Sequence, residues 1–173
     1  MDTSKQYDSS IRSSQSAILP VDPVVECLER RSLDFQGFLP SSQIENLQTV
    51  RYKVGDLFRP HYDWASTYEE NPRFSTIFGY LLCDDCVGGA TQFPNIEGKF
   101  SGKWCKFMDC GESPDGAEVG GVGFKPIVGN AVFWVHHYSN GTGHPGVLHA
   151  GMPVRNGTKV GMNIMTRQKP NYS

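Results

Sequence analysis

At 173 residues the chain is long enough to bury a substantial core and reads as one domain, residues 1–173. Its 16 basic and 18 acidic residues leave a net charge of −2, and no basic block marks a nucleic-acid partner. No apolar run approaches the ~18 residues of a membrane span, and 19 Gly, 11 Pro and 12% aromatic residues suit short strands joined by turns better than a helical bundle.

The opening stretch, MDTSKQYDSS, is polar and shows no apolar h-region, so no signal peptide is visible. Residues 11–19 read as an edge strand. Asp22-Pro23 supplies an N-cap followed by proline at the first helical position, which predicts a helix from residue 23 to about 32. Val24, Val25, Cys27 and Leu28 form its apolar face, which would cover one side of a sheet with Cys27 in the core. Leu39-Pro40-Ser41-Ser42 ends that segment and is expected to cap a single turn at 43–46. Residues 47–53 are the first clear strand, and 74–83, FSTIFGYLLC, is long and apolar enough to be central. Two hairpins are expected: 120–127 with 130–137 about Val128-Gly129, and 146–154 with 158–166 about Arg155-Asn156-Gly157. These elements predict a mainly β chain, an antiparallel sandwich or jelly roll with a short N-terminal helix packed on one sheet. Residues 94–119, rich in Gly, Ser and charge, read as an irregular insertion loop near the mouth of the barrel.

The chemistry centres on residues 47–64, LQTVRYKVGDLFRPHYDW. In an extended strand His61 and Asp63 project from the same face, with Tyr62 turned away. An imidazole beside a carboxylate makes two-thirds of a facial triad, which binds Fe(II) and leaves positions open for substrate and oxygen. His136, His137, His144 and His149 could each supply the third ligand, and spacing alone does not choose among them.

The cysteines allow a different reading. Cys83-x-x-Cys86 and Cys105-x4-Cys110 could together form a four-thiolate zinc site. Alternatively, a Cys105–Cys110 disulfide staples the insertion, which requires an oxidising compartment. Asn140, Asn156 and Asn171 open glycosylation triplets, although Asn156 is already explained as a turn residue.

Four more stretches follow the HxD in order: Gly88-Gly89-Ala90-Thr91-Gln92-Phe93-Pro94, Gly129-Asn130-Ala131-Val132-Phe133-Trp134, His149-Ala150-Gly151-Met152-Pro153-Val154, and Asn156-Gly157-Thr158-Lys159. Together with His61-Tyr62-Asp63 they resemble the Fe(II)/2-oxoglutarate dioxygenase domain of the prolyl 4-hydroxylase family, from about Ser10 to Arg167. The resemblance implies a double-stranded β-helix. It implies His149 as the third metal ligand beside His61 and Asp63. Lys159, Tyr52 and Thr91 match positions that hold the distal carboxylate of 2-oxoglutarate, and Asn163 would line the same pocket. A lysine buried in a strand core needs an anionic partner, which fits that role. Arg73 matches an arginine that contacts peptide substrate.

Two residues depart from the family pattern. Phe58 stands where a tyrosine is usual and Met165 where a tryptophan is usual, both in the proline pocket. The implied activity is hydroxylation of a C–H bond, first of all in peptidyl proline, with Fe(II), 2-oxoglutarate and O2 consumed to give succinate and CO2, and with ascorbate as an accessory. The alternatives are a dioxygenase acting on a free amino acid or other small molecule, a non-catalytic jelly-roll binding protein, and a zinc-stapled interaction module. Family members usually carry a further strand and helix before the region matched here. The compartment follows accordingly: cytoplasmic if Met1 is the true start, endoplasmic reticulum lumen if the chain is a truncated form.

Overall fold

A computed structural model describes residues 12–37, 43–65, 70–98, 100–110 and 120–168. Its strands are β1 Gln15–Ile18, β2 Gln43–Ile44, β3 Gln48–Tyr52, β4 Phe58–His61, β5 Arg73–Gly88, β6 Thr91–Phe93, β7 Val122–Phe124, β8 Ala131–Val135, β9 His149–Gly151 and β10 Val154–Arg167, with one helix, α1, at Pro23–Phe35. They form two antiparallel sheets. The larger has the order β1-β3-β10-β5-β8, with β2 pairing the end of β10; the smaller has the order β4-β9-β6-β7. This is the expected jelly roll, and residues 15–18 do form an edge strand of it.

Period-2 alternation decides what each face carries. On β10, Met162 and Ile164 point outward and pack with Leu47, Ile77 and Val25 of α1. On the inner face Phe78, Tyr80, Phe93, Val132, Trp134 and Val147 fill the space between the sheets. The Asp22 carboxylate accepts from the backbone N–H groups of Val24 and Val25 at 2.8 Å, which fixes the start of α1. The helix runs three residues past the expected end, to Phe35. Cys27 is half-buried beside Arg30 and takes no part in the core. Residues 39–42 lie outside the described residues, and Gln43–Ile44 pair with β10 instead of turning.

Neither expected hairpin forms. The Val128-Gly129 turn exists, with Asn130 N–H donating to the Ile127 carbonyl at 3.0 Å. Its two arms enter different sheets, because Pro126 interrupts the first arm while β8 pairs with β5. Likewise β9 lies in the small sheet, and Val154–Arg167 is one continuous strand of the large one. Asn156-Gly157 sits in an irregular stretch of the β10–β5 ladder rather than in a turn. There Gly157 takes φ +73°, and a Cβ on it would lie 2.1 Å from the Asp84 carbonyl oxygen. Asn156 Nδ2 donates to the Asp85 carbonyl at 2.9 Å.

The four motif cysteines are spent in two local disulfides, Cys83–Cys86 and Cys105–Cys110, which overturns the four-thiolate zinc reading. The described part of 94–119 holds a 3-10 turn at Gly102–Lys106 and a bridge from Met108 to Phe124 on the edge of the small sheet. None of it lines the main cavity, so the expected position at the mouth is not found among the described residues. No helix of the described residues is long and apolar enough to cross a membrane.

Candidate active site

A cavity of about 370 Å³ opens between the sheets, and the residues singled out by motif converge on it. His61 closes β4 and His149 opens β9, and the two face each other in register with ring centroids 4.3 Å apart. Asp63 lies in a bend just past β4 rather than in an extended strand. Tyr62 is not turned away: it lines the cavity, and its hydroxyl donates to the Pro145 carbonyl at 3.3 Å.

Among the described residues, His61, Asp63 and His149 form the group whose ligand atoms lie close enough to hold a metal, within 4.8 Å of one another. Asp63 Oδ1 is 3.8 Å from His61 Nε2, and Asp63 Oδ2 is 3.7 Å from His149 Nε2. Each histidine turns its other nitrogen to a carbonyl two residues upstream: His61 Nδ1 to Arg59 at 2.8 Å and His149 Nδ1 to Val147 at 3.0 Å. That bond places the proton on Nδ1 and leaves the Nε2 lone pair for a cation. Burial and the neighbouring His149 push the His61 pKa down to about 4, which keeps the imidazole in the ligating, neutral form. The donor set therefore fits Fe(II), with one carboxylate, two imidazoles and room for three further ligands.

The other candidate histidines fall outside the group. His137 is near Trp64 and has its pKa lowered by burial, while His144 stacks on Tyr138 and accepts the Gly146 N–H at 2.9 Å. His136 is fully buried and close to Asp63, but serves it from behind. Its Nε2 is 2.9 Å from Thr76 Oγ1, and that hydroxyl donates to Asp63 Oδ2 at 2.8 Å. Its Nδ1 lies 3.0 Å from the Arg73 carbonyl. The motifs did not single out Thr76. Only alternation back from Tyr80 and Phe78 places it on the inner face.

Lys159 is deeper in the cavity and has no exposed surface. Its Nζ donates to the Gly89 carbonyl at 2.7 Å and sits 4.3 Å from the centre of the Tyr52 ring. Among the described residues it meets no carboxylate. Burial brings its pKa down to about 7, so the site lacks the anion that would restore a full ammonium. Thr91 lies on the adjoining wall and accepts from the Tyr80 hydroxyl at 2.8 Å, which leaves its own proton for a ligand. Burial pushes the Tyr52 and Tyr80 pKa values up, so both phenols stay protonated donors. Asn163 also lines the cavity.

Towards the opening, Phe58 stacks on His61 with centroids 3.7 Å apart, and Met165 lines the opposite wall. Arg73 lines the same space and binds Glu45 through two nitrogens, at 2.8 and 2.9 Å. Arg167 joins the same carboxylate at 2.6 Å. Burial raises the Glu45 pKa, but the two guanidiniums outweigh it and hold the carboxyl below its ordinary value. Glu45 and Arg167 lie outside the motifs, and nothing local in the sequence marks them as partners of Arg73.

No family model matches the chain. It is 32% identical over 165 residues to probable prolyl 4-hydroxylase 10 of Arabidopsis thaliana, covering 91% of this chain and 54% of that protein. It is 31% identical over 168 residues to prolyl 4-hydroxylase subunit alpha-1 of Rattus norvegicus, covering 91% of this chain and 27% of that protein. The chain thus spans about half the length of the curated plant relatives it matches. Among solved structures, a viral collagen prolyl hydroxylase from Paramecium bursaria Chlorella virus 1, in its 2-oxoglutarate complex, superposes with a TM-score of 0.71 at 21% identity, covering 91% of this chain and 80% of that one. A Pseudomonas putida prolyl 4-hydroxylase gives 0.56 at 16% identity, covering 92% and 74%. In sequence and in fold, the chain is prolyl 4-hydroxylase-like.

Proposed function

We propose that this prolyl 4-hydroxylase-like chain is an Fe(II)- and 2-oxoglutarate-dependent dioxygenase that hydroxylates a C–H bond of peptidyl proline, releasing succinate and CO2. One observation carries the reading. A two-histidine, one-carboxylate group and a buried lysine that meets no carboxylate among the described residues share one cavity.

In this reading His61, Asp63 and His149 hold the metal, which when bound supplies the oxidising chemistry that couples decarboxylation of the 2-oxo acid to hydroxylation. Lys159 binds the distal carboxylate of 2-oxoglutarate, assisted by the Thr91 and Tyr52 hydroxyls, so the 2-oxo acid end reaches the metal. A buried ammonium facing a carboxylate is a strong, charge-assisted anchor. Phe93 and Trp134 pack beside His149, with centroids 5.7 and 4.7 Å away, and keep water off that side. Arg73, fixed by Glu45, orients the peptide at the opening. Two disulfides favour an oxidising compartment. Ascorbate, if used, serves as an external reductant.

Phe58 and Met165 favour a second reading of the substrate. A phenyl ring lacks the hydroxyl that tyrosine would offer, and a flexible thioether replaces a rigid indole wall. A free amino acid or another small molecule fits such a pocket too. A non-catalytic role is disfavoured by the complete ligand set and the retained lysine.

The test is anaerobic addition of Fe(II) and 2-oxoglutarate to metal-free protein, followed by the visible charge-transfer band of the complex. Wild type is expected to give the band, His61→Ala to abolish it and Lys159→Ala to weaken it. Succinate release on adding proline-containing peptides, compared with free proline, then separates the two substrate readings. Absence of any band in wild type would sink the dioxygenase reading.

A further inference from the structure

Thr76 has no place in the reading above, yet it is fully buried against one of the three candidate ligands. Its hydroxyl lies between Asp63 Oδ2 at 2.8 Å and His136 Nε2 at 2.9 Å. It carries one proton, and an ionised carboxylate is the stronger acceptor. Asp63 Oδ1 accepts no hydrogen bond from the described residues; its nearest partner is His61 Nε2 at 3.8 Å. The two oxygens of one carboxylate are therefore unequal. One accepts a hydrogen bond from a fixed donor and the other accepts none from the described residues, while each lies beside one histidine, Oδ1 by His61 and Oδ2 by His149.

We propose that Thr76, backed by His136, is a positioning residue that keeps Asp63 a one-oxygen ligand by occupying Oδ2. The inference rests on His61, Asp63 and His149 being the metal ligands. The count of coordination positions gives it a function. Two imidazoles and one carboxylate oxygen leave three positions of an octahedral ion, enough for a chelating 2-oxo acid and one small molecule. A carboxylate bound through both oxygens would fill one of them. With the 2-oxo acid in place, no position would then remain. A rigid donor on Oδ2 disfavours this, because an oxygen that shares its charge with the metal makes a weaker charge-assisted hydrogen bond, leaving the buried hydroxyl to His136 Nε2 alone. Thr76 is set by β5, where it pairs with Met165 of β10 and Trp134 of β8, so it has little freedom to follow the carboxylate.

The experiment uses Mn(II) as the probe. Broadening of its electron-spin-resonance lines in oxygen-17 water counts the water molecules on the ion, before and after 2-oxoglutarate. Wild type is expected to lose two waters to 2-oxoglutarate and keep one. Thr76→Val keeps the shape and removes the hydroxyl. It is expected to bind Mn(II) with one water fewer at each stage, and none after 2-oxoglutarate. Thr76→Ser restores the wild-type count, a rescue that a purely structural role would not require. If the valine variant does not fold, Thr76→Cys decides, being close in size but a weak donor. A wild-type count in the valine variant, or in the cysteine variant where valine fails, overturns the proposal. If wild-type protein binds Mn(II) but loses no water to 2-oxoglutarate, the co-substrate reading fails instead, and the comparison of variants before 2-oxoglutarate still judges Thr76.

Discussion

Lys159 donates a hydrogen bond to the backbone carbonyl of Gly89, at 2.7 Å, and to no side chain among the described residues. A neutral dipole satisfies one N–H but does not offset the cost of a buried charge, and burial lowers the pKa to about 7. Binding a carboxylate there raises that pKa again. The affinity of Mn(II)-loaded protein for 2-oxoglutarate should therefore be highest at and below pH 7 and weaken as pH rises, by up to about tenfold per unit. Calorimetric titration from pH 6.5 to 9 measures this, and Lys159→Met should show weak, nearly pH-independent binding.

The same shift acts on the unliganded fold with the opposite sign. The native lysine loses its proton near 7, whereas the unfolded one holds it up to its ordinary 10.5. The unfolded state thus binds more protons across this interval, and the metal-free protein should gain stability as pH rises through it. Denaturant melts at several pH values test this, with Lys159→Met as the variant that lacks the slope.

Gly89 is the matching point on the backbone. It takes φ +69°, and a Cβ would lie 3.1 Å from Val154 Cγ2 and 3.4 Å from Lys159 Cδ. Gly89→Ala should cost about 1–3 kcal/mol of stability and weaken 2-oxoglutarate binding by moving the lysine. Urea melts and the charge-transfer band read the two effects separately.

Glu45 ties Arg73 to Arg167, and its lowered pKa means that the cluster contributes stability above pH 4.5 and loses it as pH falls further. The residues are partly exposed, so Glu45→Gln should cost no more than about 1 kcal/mol. It should raise the KM for peptide substrate while leaving the Fe(II)–2-oxoglutarate band unchanged. A loss of the band would show that Arg73 supports the metal site rather than the opening.

Met165→Trp fills the wall opposite the metal group with a rigid ring. If peptidyl proline is the substrate, kcat/KM for proline peptides should rise about 2- to 10-fold, as expected for an added aromatic contact. If the substrate is larger, turnover of that substrate should fall. Steady-state kinetics on both kinds of compound give the answer.

The His61-x-Asp63 pair was legible from the residues themselves, and the remaining positions from the resemblance that the ordered motifs carry. His61, Asp63, His149 and Lys159 meet at one cavity, and Tyr52, Thr91, Arg73, Phe58 and Met165 line it too. The strands were legible by alternation, but their partners were not. Val128-Gly129 does turn and Asn156-Gly157 is irregular, yet local turn chemistry does not say which sheet receives the next strand. Pro126 settles the first case and the corner at Met152-Pro153 the second, through pairings set elsewhere in the chain. Thr76 and Glu45 were invisible for another reason. A threonine in an apolar strand and a glutamate before one are unremarkable until register brings them to Asp63 and Arg73.

The pairing of β4 with β9 has a consequence for how the protein is made. His61 meets His149 only when segments far apart in sequence close on each other, and Lys159 arrives in β10, which inserts between β3 and β5. Such non-local closure is slow, and its entropy must be met before the contacts exist to offset it. During synthesis, the segment with His61 and Asp63 emerges carrying two of the three candidate ligands, before the third exists. In the reading proposed above, metal capture therefore waits for β9 to close on β4, and the lysine that would anchor the 2-oxo acid arrives later still, with β10.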